Sequence, residues 1–105
     1  MSVVPAKEKD LVQEIRLAAK AMSVFLVEMG QRKAKGSGST IGLPDLAVIV
    51  AGETVWIECK RPGLGCLSVG QIAFIERAAE QGVAVHVVDD VQQFADLVNA
   101  ARRRR

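Results

Sequence analysis

The chain has 105 residues, half of them hydrophobic and a quarter charged, which suits one folded domain with one core and excludes a disordered chain. With three Phe, one Trp and no Tyr, the core must be built mainly from Val, Ile, Leu and Ala, and the scarcity of aromatics argues against a surface that stacks single-stranded bases on aromatic rings. The net charge of +2 names no partner, and two cysteines without a CxxC pair beside a single histidine leave a zinc site without ligands.

From Ala6 to about Met22, Leu11, Ile15, Ala18 and Met22 recur at helical spacing with charges between them, which predicts an amphipathic helix. Ser23 to Met29 is rich in β-formers and is stopped by Gly30. A strand is preferred there, the alternative being a helix that runs on to Met29. Gln31 to Leu43 lacks apolar periodicity and reads as a long glycine- and serine-rich loop that carries Arg32, Lys33 and Lys35. Pro44 disfavours helix before it. A strand from Asp45 to Val50, a turn at Ala51-Gly52-Glu53 and a strand from Thr54 to Lys60 then form the clearest hairpin.

After the break at Arg61 to Gly65, Ser68 is the expected N-cap of a helix to about Gln81, with Ile72, Ile75, Ala78 and Ala79 facing inward and Gly82 ending it. Val83 to Val88 reads as a buried strand, and Asp89 or Asp90 caps a last helix bearing Val91, Phe94, Leu97, Val98 and Ala101. Arg102 to Arg105 read as a solvated tail, with phosphate contact as the alternative. The expected order αβββαβα is that of an α/β domain. Its first three strands form an antiparallel meander, and its fourth lies parallel to the third through a helical crossover.

The chemistry concentrates on the hairpin. Alternation puts Trp56, Glu58 and Lys60 on one face of their strand and Val55, Ile57 and Cys59 on the other. A carboxylate and an amine on a buried type of strand need partners. Asp45, heading the neighbouring strand, falls opposite Glu58 or Lys60. Two carboxylates converging on one spot repel unless a cation or proton intervenes. A hard oxygen-liganded ion such as Mg²⁺ meets that need, and a lysine beside it can activate water or offset charge on a phosphate. His86, alone in an apolar strand, reads as structural, and Trp56 as a packing residue.

Gly42-Leu43-Pro44-Asp45 followed by Ile57-Glu58-Cys59-Lys60 resembles the PD-(D/E)XK nuclease superfamily, and within it the chain is similar to the VRR-NUC domain. Leu67-Ser68-Val69-Gly70-Gln71 resembles that family's Leu-Ser-x-x-Gln, and Gln81-Gly82-Val83-Ala84-Val85 its glycine-then-strand step. The resemblance covers nearly the whole chain. It implies a single restriction-endonuclease-like domain over residues 1–105, with a four-stranded mixed sheet flanked by helices. It also implies Mg²⁺-dependent cleavage of DNA, Mn²⁺ substituting, with Holliday junctions or flaps as substrates.

Carried over by position, the resemblance makes Asp45, Glu58 and the backbone carbonyl of Cys59 the metal ligands. Lys60 becomes the residue that orients or activates water, and Gln71 the one that steadies Lys60 or the substrate. It places a helix carboxylate at Glu8, with Glu14 as the rival and Glu28 as a remoter candidate. Arg32, Lys33 and Lys35 are candidate phosphate contacts. Arg61 is another, unless it serves an exposed salt bridge. Two strands to cut and one small domain suggest a homodimer. Nothing resembles a signal peptide and no apolar run approaches bilayer length, so the expected compartment is a reducing cytoplasm with both thiols free, and the resemblance implies that the cell is bacterial or phage-infected. The alternatives are a nucleic-acid-binding module that keeps the fold without cutting, and a sequence-reading restriction-like enzyme.

Overall fold

In the computed structural model of the protein, residues 8–29, 41–60 and 66–105 are described. They run α1 (Glu8–Met22), β1 (Phe25–Glu28), β2 (Leu46–Val50), β3 (Glu53–Cys59), α2 (Val69–Glu80), β4 (Val85–Val88) and α3 (Val91–Arg104). The expected order is the observed one. The sheet order is β1-β2-β3-β4, antiparallel except for the parallel β3–β4 pair that the α2 crossover joins. No helix among the described residues is long and apolar enough to cross a membrane.

Local chemistry sets the boundaries. The helix ends at Met22 because the next residues close it: the Val24 amide bonds to the Ala19 carbonyl at 3.1 Å and the Ser23 amide to that of Lys20 at 3.2 Å. This is the Schellman pattern, with Ser23 in the left-handed conformation at φ 60°. Gly82, at φ 84°, closes α2 the same way through Val83 to Ala78 and Gly82 to Ala79. The β2–β3 turn is the two residues Ala51 and Gly52, both at positive φ, as a hairpin twisted like its strands requires.

One face of the sheet carries the core. Leu46, Val48 and Val50 from β2, with Val55, Ile57 and Cys59 from β3, pack on Leu11, Ile15 and Ala19 of α1 and on Phe94, Val98 and Ala101 of α3. Among the described elements, the second face is covered by α2 alone, and α2 has no buried residue. Its half-buried positions are Gly70, Gln71, Phe74, Ile75 and Ala78, so Ile75 and Ala78 face inward as expected while Ile72 and Ala79 are exposed.

Three other expectations are corrected. The strand expected over Val83–Val88 starts at Val85 and buries only Val88, because β4 is a sheet edge and Val83 belongs to the closing turn of α2. Trp56 is only half-buried, on the sheet face away from the main core. The four terminal arginines are no tail. Helix α3 continues to Arg104, which grips Glu53 at 2.8 Å. Arg105 donates to the Ala51 carbonyl at 3.3 Å and Arg102 to that of Met22. Three of the four arginines thus fasten α3 to the hairpin turn and to the α1–β1 corner.

His86 is half-buried opposite Ile57. Burial, and secondarily Arg104, hold its imidazole below the ordinary value, so the folded chain takes up this proton less readily than the unfolded chain. Its contribution is fully present above about pH 6.5 and is lost as the pH falls below it. Thermal melts between about pH 7.5 and about pH 5.5 are expected to show the melting temperature falling more steeply in the unmodified protein than in His86→Gln. Equal slopes would remove His86 as the cause.

Candidate active site

The β2–β3 register sets the site. Leu46 pairs with Ile57, and the same register carried one step further brings Asp45 opposite Glu58, the first of the two expected partners. On its other side Asp45 is held to the β1 end, where the Met29 amide donates to its carbonyl at 2.9 Å. Pro44, fully buried, anchors the approach. Asp45 Oδ2 accepts the Cys59 amide at 2.8 Å. The Cys59 side chain is itself buried in the core, so only its main chain borders Asp45.

Glu58 is the one buried charged residue among those described, at 2% exposure. A carboxylate taken from water needs donors. Gln71 Nε2 donates to its Oε2 at 2.6 Å and Lys60 Nζ lies 3.9 Å from the same oxygen. Lys60 is mostly buried, and its backbone amide bonds to Val88 of β4 at 2.9 Å.

Gln71 reaches Glu58 because of its place in α2. Ser68 caps the helix through Oγ to the Gln71 amide at 3.1 Å, and Gln71 Oε1 accepts the Ser68 amide at 2.8 Å, a complete capping box. With its oxygen occupied by Ser68, the side-chain amide has one orientation that serves both partners, and its NH₂ faces Glu58. Ser68 is the N-cap expected from sequence, but its fixing of the Gln71 side chain was missed, although Ser-x-x-Gln ahead of an apolar run is a capping-box signal.

Asp45, Glu58, Lys60 and Gln71 are thus brought together. Glu8 is the first residue of α1, and its side chain lies outside the described structure. Glu14 is exposed on α1. Glu28 pairs in register with Leu46, a core-side residue, so it lies on the opposite sheet face from Asp45. Its carboxylate is forked by Arg16 at 2.7 and 2.8 Å, which holds it below the usual carboxylate range. Arg32, Lys33, Lys35 and Arg61 lie outside the described residues.

Among the described residues, no group of three or more His, Cys, Asp or Glu side chains comes together to hold a metal. Mg²⁺ needs no such group: it uses one or two carboxylates and fills its other positions with water and substrate oxygens. Asp45 and Glu58, facing each other across the β2–β3 ladder beside the main chain of Cys59, are a donor set of that chemistry.

An antiparallel meander, a helical crossover to a parallel fourth strand, and acidic residues where β2 begins and β3 ends define a PD-(D/E)XK-like α/β domain. Two solved structures share it. One, described as a VRR_NUC domain protein, superposes with a TM-score of 0.75 at 19% identity, over 91% of this chain and 88% of that one. Another, described as a VRR_NUC domain, gives 0.68 at 23% identity, over 90% and 97%. No family model matches the chain, and no curated protein does. The protein therefore has the fold of VRR_NUC domains, as its motifs led us to expect.

Proposed function

We propose that this chain is a VRR-NUC nuclease, a metal-dependent endonuclease that hydrolyses phosphodiester bonds in branched DNA. The observation that carries the reading is the buried Glu58 carboxylate, opposite Asp45, with Lys60 and Gln71 converging on one of its oxygens. A lone buried carboxylate would weaken a structural strand. Set beside the half-buried Asp45 and a lysine, it makes sense as a site whose partners include a cation.

In this reading Asp45, Glu58 and the Cys59 carbonyl would hold Mg²⁺ or Mn²⁺, with Glu8 of α1 as the helix carboxylate. The bound ion would supply Lewis-acid polarisation of the scissile phosphate. Lys60, fixed beside Glu58, orients the attacking water and offsets charge developing on the phosphate oxygens. Gln71 keeps Glu58 in place. Arg32, Lys33, Lys35 and Arg61 supply phosphate contacts that position the DNA without reading its sequence. The acting form is a cytoplasmic homodimer, which gives two sites for two strands. In support, Phe25 and Ile49 are cross-strand neighbours, 63% and 41% exposed on the sheet face that α2 leaves open. A second copy is the occupant we assign to it.

The test uses the purified chain with labelled Holliday junction, flap and linear duplex DNA in Mg²⁺, Mn²⁺ or EDTA. Cutting of branched DNA is expected in either metal and none in EDTA, with the protein sedimenting as a dimer. Lys60→Ala is expected to lower the cutting rate by about 10²–10⁴-fold, the range for losing a positioned proton-transfer group, while DNA is still bound. DNA binding without cleavage would overturn the enzyme reading, and cutting of linear duplex at one sequence would overturn the branched substrate.

A further inference from the structure

We propose that Gly42 is a positioning residue: its backbone, seated on the Gly70–Gln71 peptide, fixes where α2 holds the Gln71 amide relative to Glu58 and Asp45. The inference rests on the reading of those residues as the active site. A Cβ added at Gly42 would lie 2.1 Å from the Gly70 carbonyl oxygen and 2.8 Å from the Gln71 nitrogen, both backbone atoms. Gly42 also sits at φ 81°, where a side chain is strained. Shape and conformation both demand glycine.

The contact completes a ring of interactions. From Gly42 the chain passes the buried Pro44 to Asp45, which accepts the Cys59 amide. From Gly70 it passes directly to Gln71, which donates to Glu58. Cys59 and Glu58 are consecutive in β3. The segment bearing Asp45 and the helix bearing Gln71 therefore meet each other at Gly42 and meet the same strand at adjacent residues. Displacing one moves the other. The mouth of the site is thereby set by a backbone contact that no charged residue makes.

A Cβ at Gly70 supplies the control. It would crowd Ile41 Cγ2, at 2.6 Å, the tip of a side chain that is 80% exposed and able to swing away, while the Gly42 backbone N and Cα lie at ordinary contact distances of 3.7 and 3.8 Å. Gly70→Ala thus leaves the backbone contact intact, whereas Gly42→Ala pushes α2 off the Asp45 segment.

The experiment is nuclear magnetic resonance on the full chain, with cleavage kinetics beside it. In Gly42→Ala the core amides are expected to stay protected while the Gln71 side-chain NH₂ moves to a solvent-like shift with fast exchange. The turnover rate should fall by about 10²-fold, the scale of an ångström misplacement, with KM little changed. Gly42→Ala and Gln71→Ala together should cost no more than one alone, because both act through the same amide. Gly70→Ala should resemble the unmodified chain. An unaltered Gln71 NH₂ in folded Gly42→Ala, or additive losses, would overturn the proposal.

Should Gly42→Ala fail to fold, Gly42→Asn keeps the clash with less backbone strain. A nuclear Overhauser contact between Gly42 Hα and the Gln71 amide in the unmodified chain is the direct check, and its absence overturns the proposal as well. If the unmodified chain cuts no DNA, the nuclease reading fails, and the resonance data still decide the positioning role.

Discussion

Asp45→Asn is expected to reduce metal-dependent cleavage by about 10²–10³-fold or more, on the scale of removing one preorganised electrostatic group, while the chain stays folded. The substitution is nearly isosteric. An amide oxygen can still accept the Cys59 amide that Asp45 Oδ2 now takes at 2.8 Å, so the join between the β2 approach and β3 survives. One of two facing carboxylates loses its charge, so without metal the variant should melt no lower than the unmodified chain. What it loses is the anionic hard oxygen. Metal at a hundredfold excess over its dissociation constant stabilises a native site by about 2.7 kcal/mol, and that gain should largely vanish in the variant. Thermal melts with and without Mn²⁺, run beside the cleavage assay, read both effects. A metal-induced shift as large as in the unmodified chain would take the ion away from Asp45. Unfolding of the variant would show that Asp45 is structural and end the site assignment.

The parts of the fold legible in the sequence are those where one physical rule decides. Helical spacing of Leu11 and Ile15 gave α1, and both are fully buried. Period-two alternation separated Ile57 from Glu58, which do face opposite sides of β3. What stayed hidden depends on which neighbour a residue meets. Val83 to Val88 looks buried because it is apolar, but strand order places β4 at an edge, where Val87 remains 44% exposed. Ile72 and Ala79 share a helical stripe with the residues that pack, yet a single helix laid on one sheet face buries only a narrow strip of itself. The terminal arginines look like a tail because charge runs usually are. Here helical geometry brings them to Glu53 and to free carbonyls some fifty to eighty positions away in sequence. At the site, Asp45, Glu58 and Lys60 were legible because chemistry requires their types together. The Gly42–Gly70 contact was not, since a glycine announces a permitted backbone and never the surface pressed against it.

Phe94→Ala should be the most destabilising single change, at about 3–5 kcal/mol for a fully buried aromatic. Phe94 is inaccessible to solvent and packs with Leu11, Ile15, Ile57 and Val98, so it joins α1, α3 and the sheet. No other aromatic belongs to this core: Phe25 is exposed, and Phe74 and Trp56 are half-buried on the other face. Neighbouring aliphatic side chains cannot collapse into so large a void without leaving their own rotamers. Domains of this size hold about 5–15 kcal/mol in all, and each kilocalorie moves the melting temperature by about 4–8 °C, so a drop of more than about 12 °C is expected. Phe94→Leu, which keeps most of the volume, should cost under about 2 kcal/mol. Urea melts should show the midpoint falling with the slope unchanged. The loss should reach the chemistry only through folding. The core face and the site face meet at β3, and the Lys60 amide is held by Val88 of the same core. Well below its lowered melting temperature, Phe94→Ala should therefore still bind metal and cut DNA, the reverse of Asp45→Asn. A Phe94→Ala variant as inactive as Asp45→Asn while fully folded would mean that the two faces of the sheet are not independent.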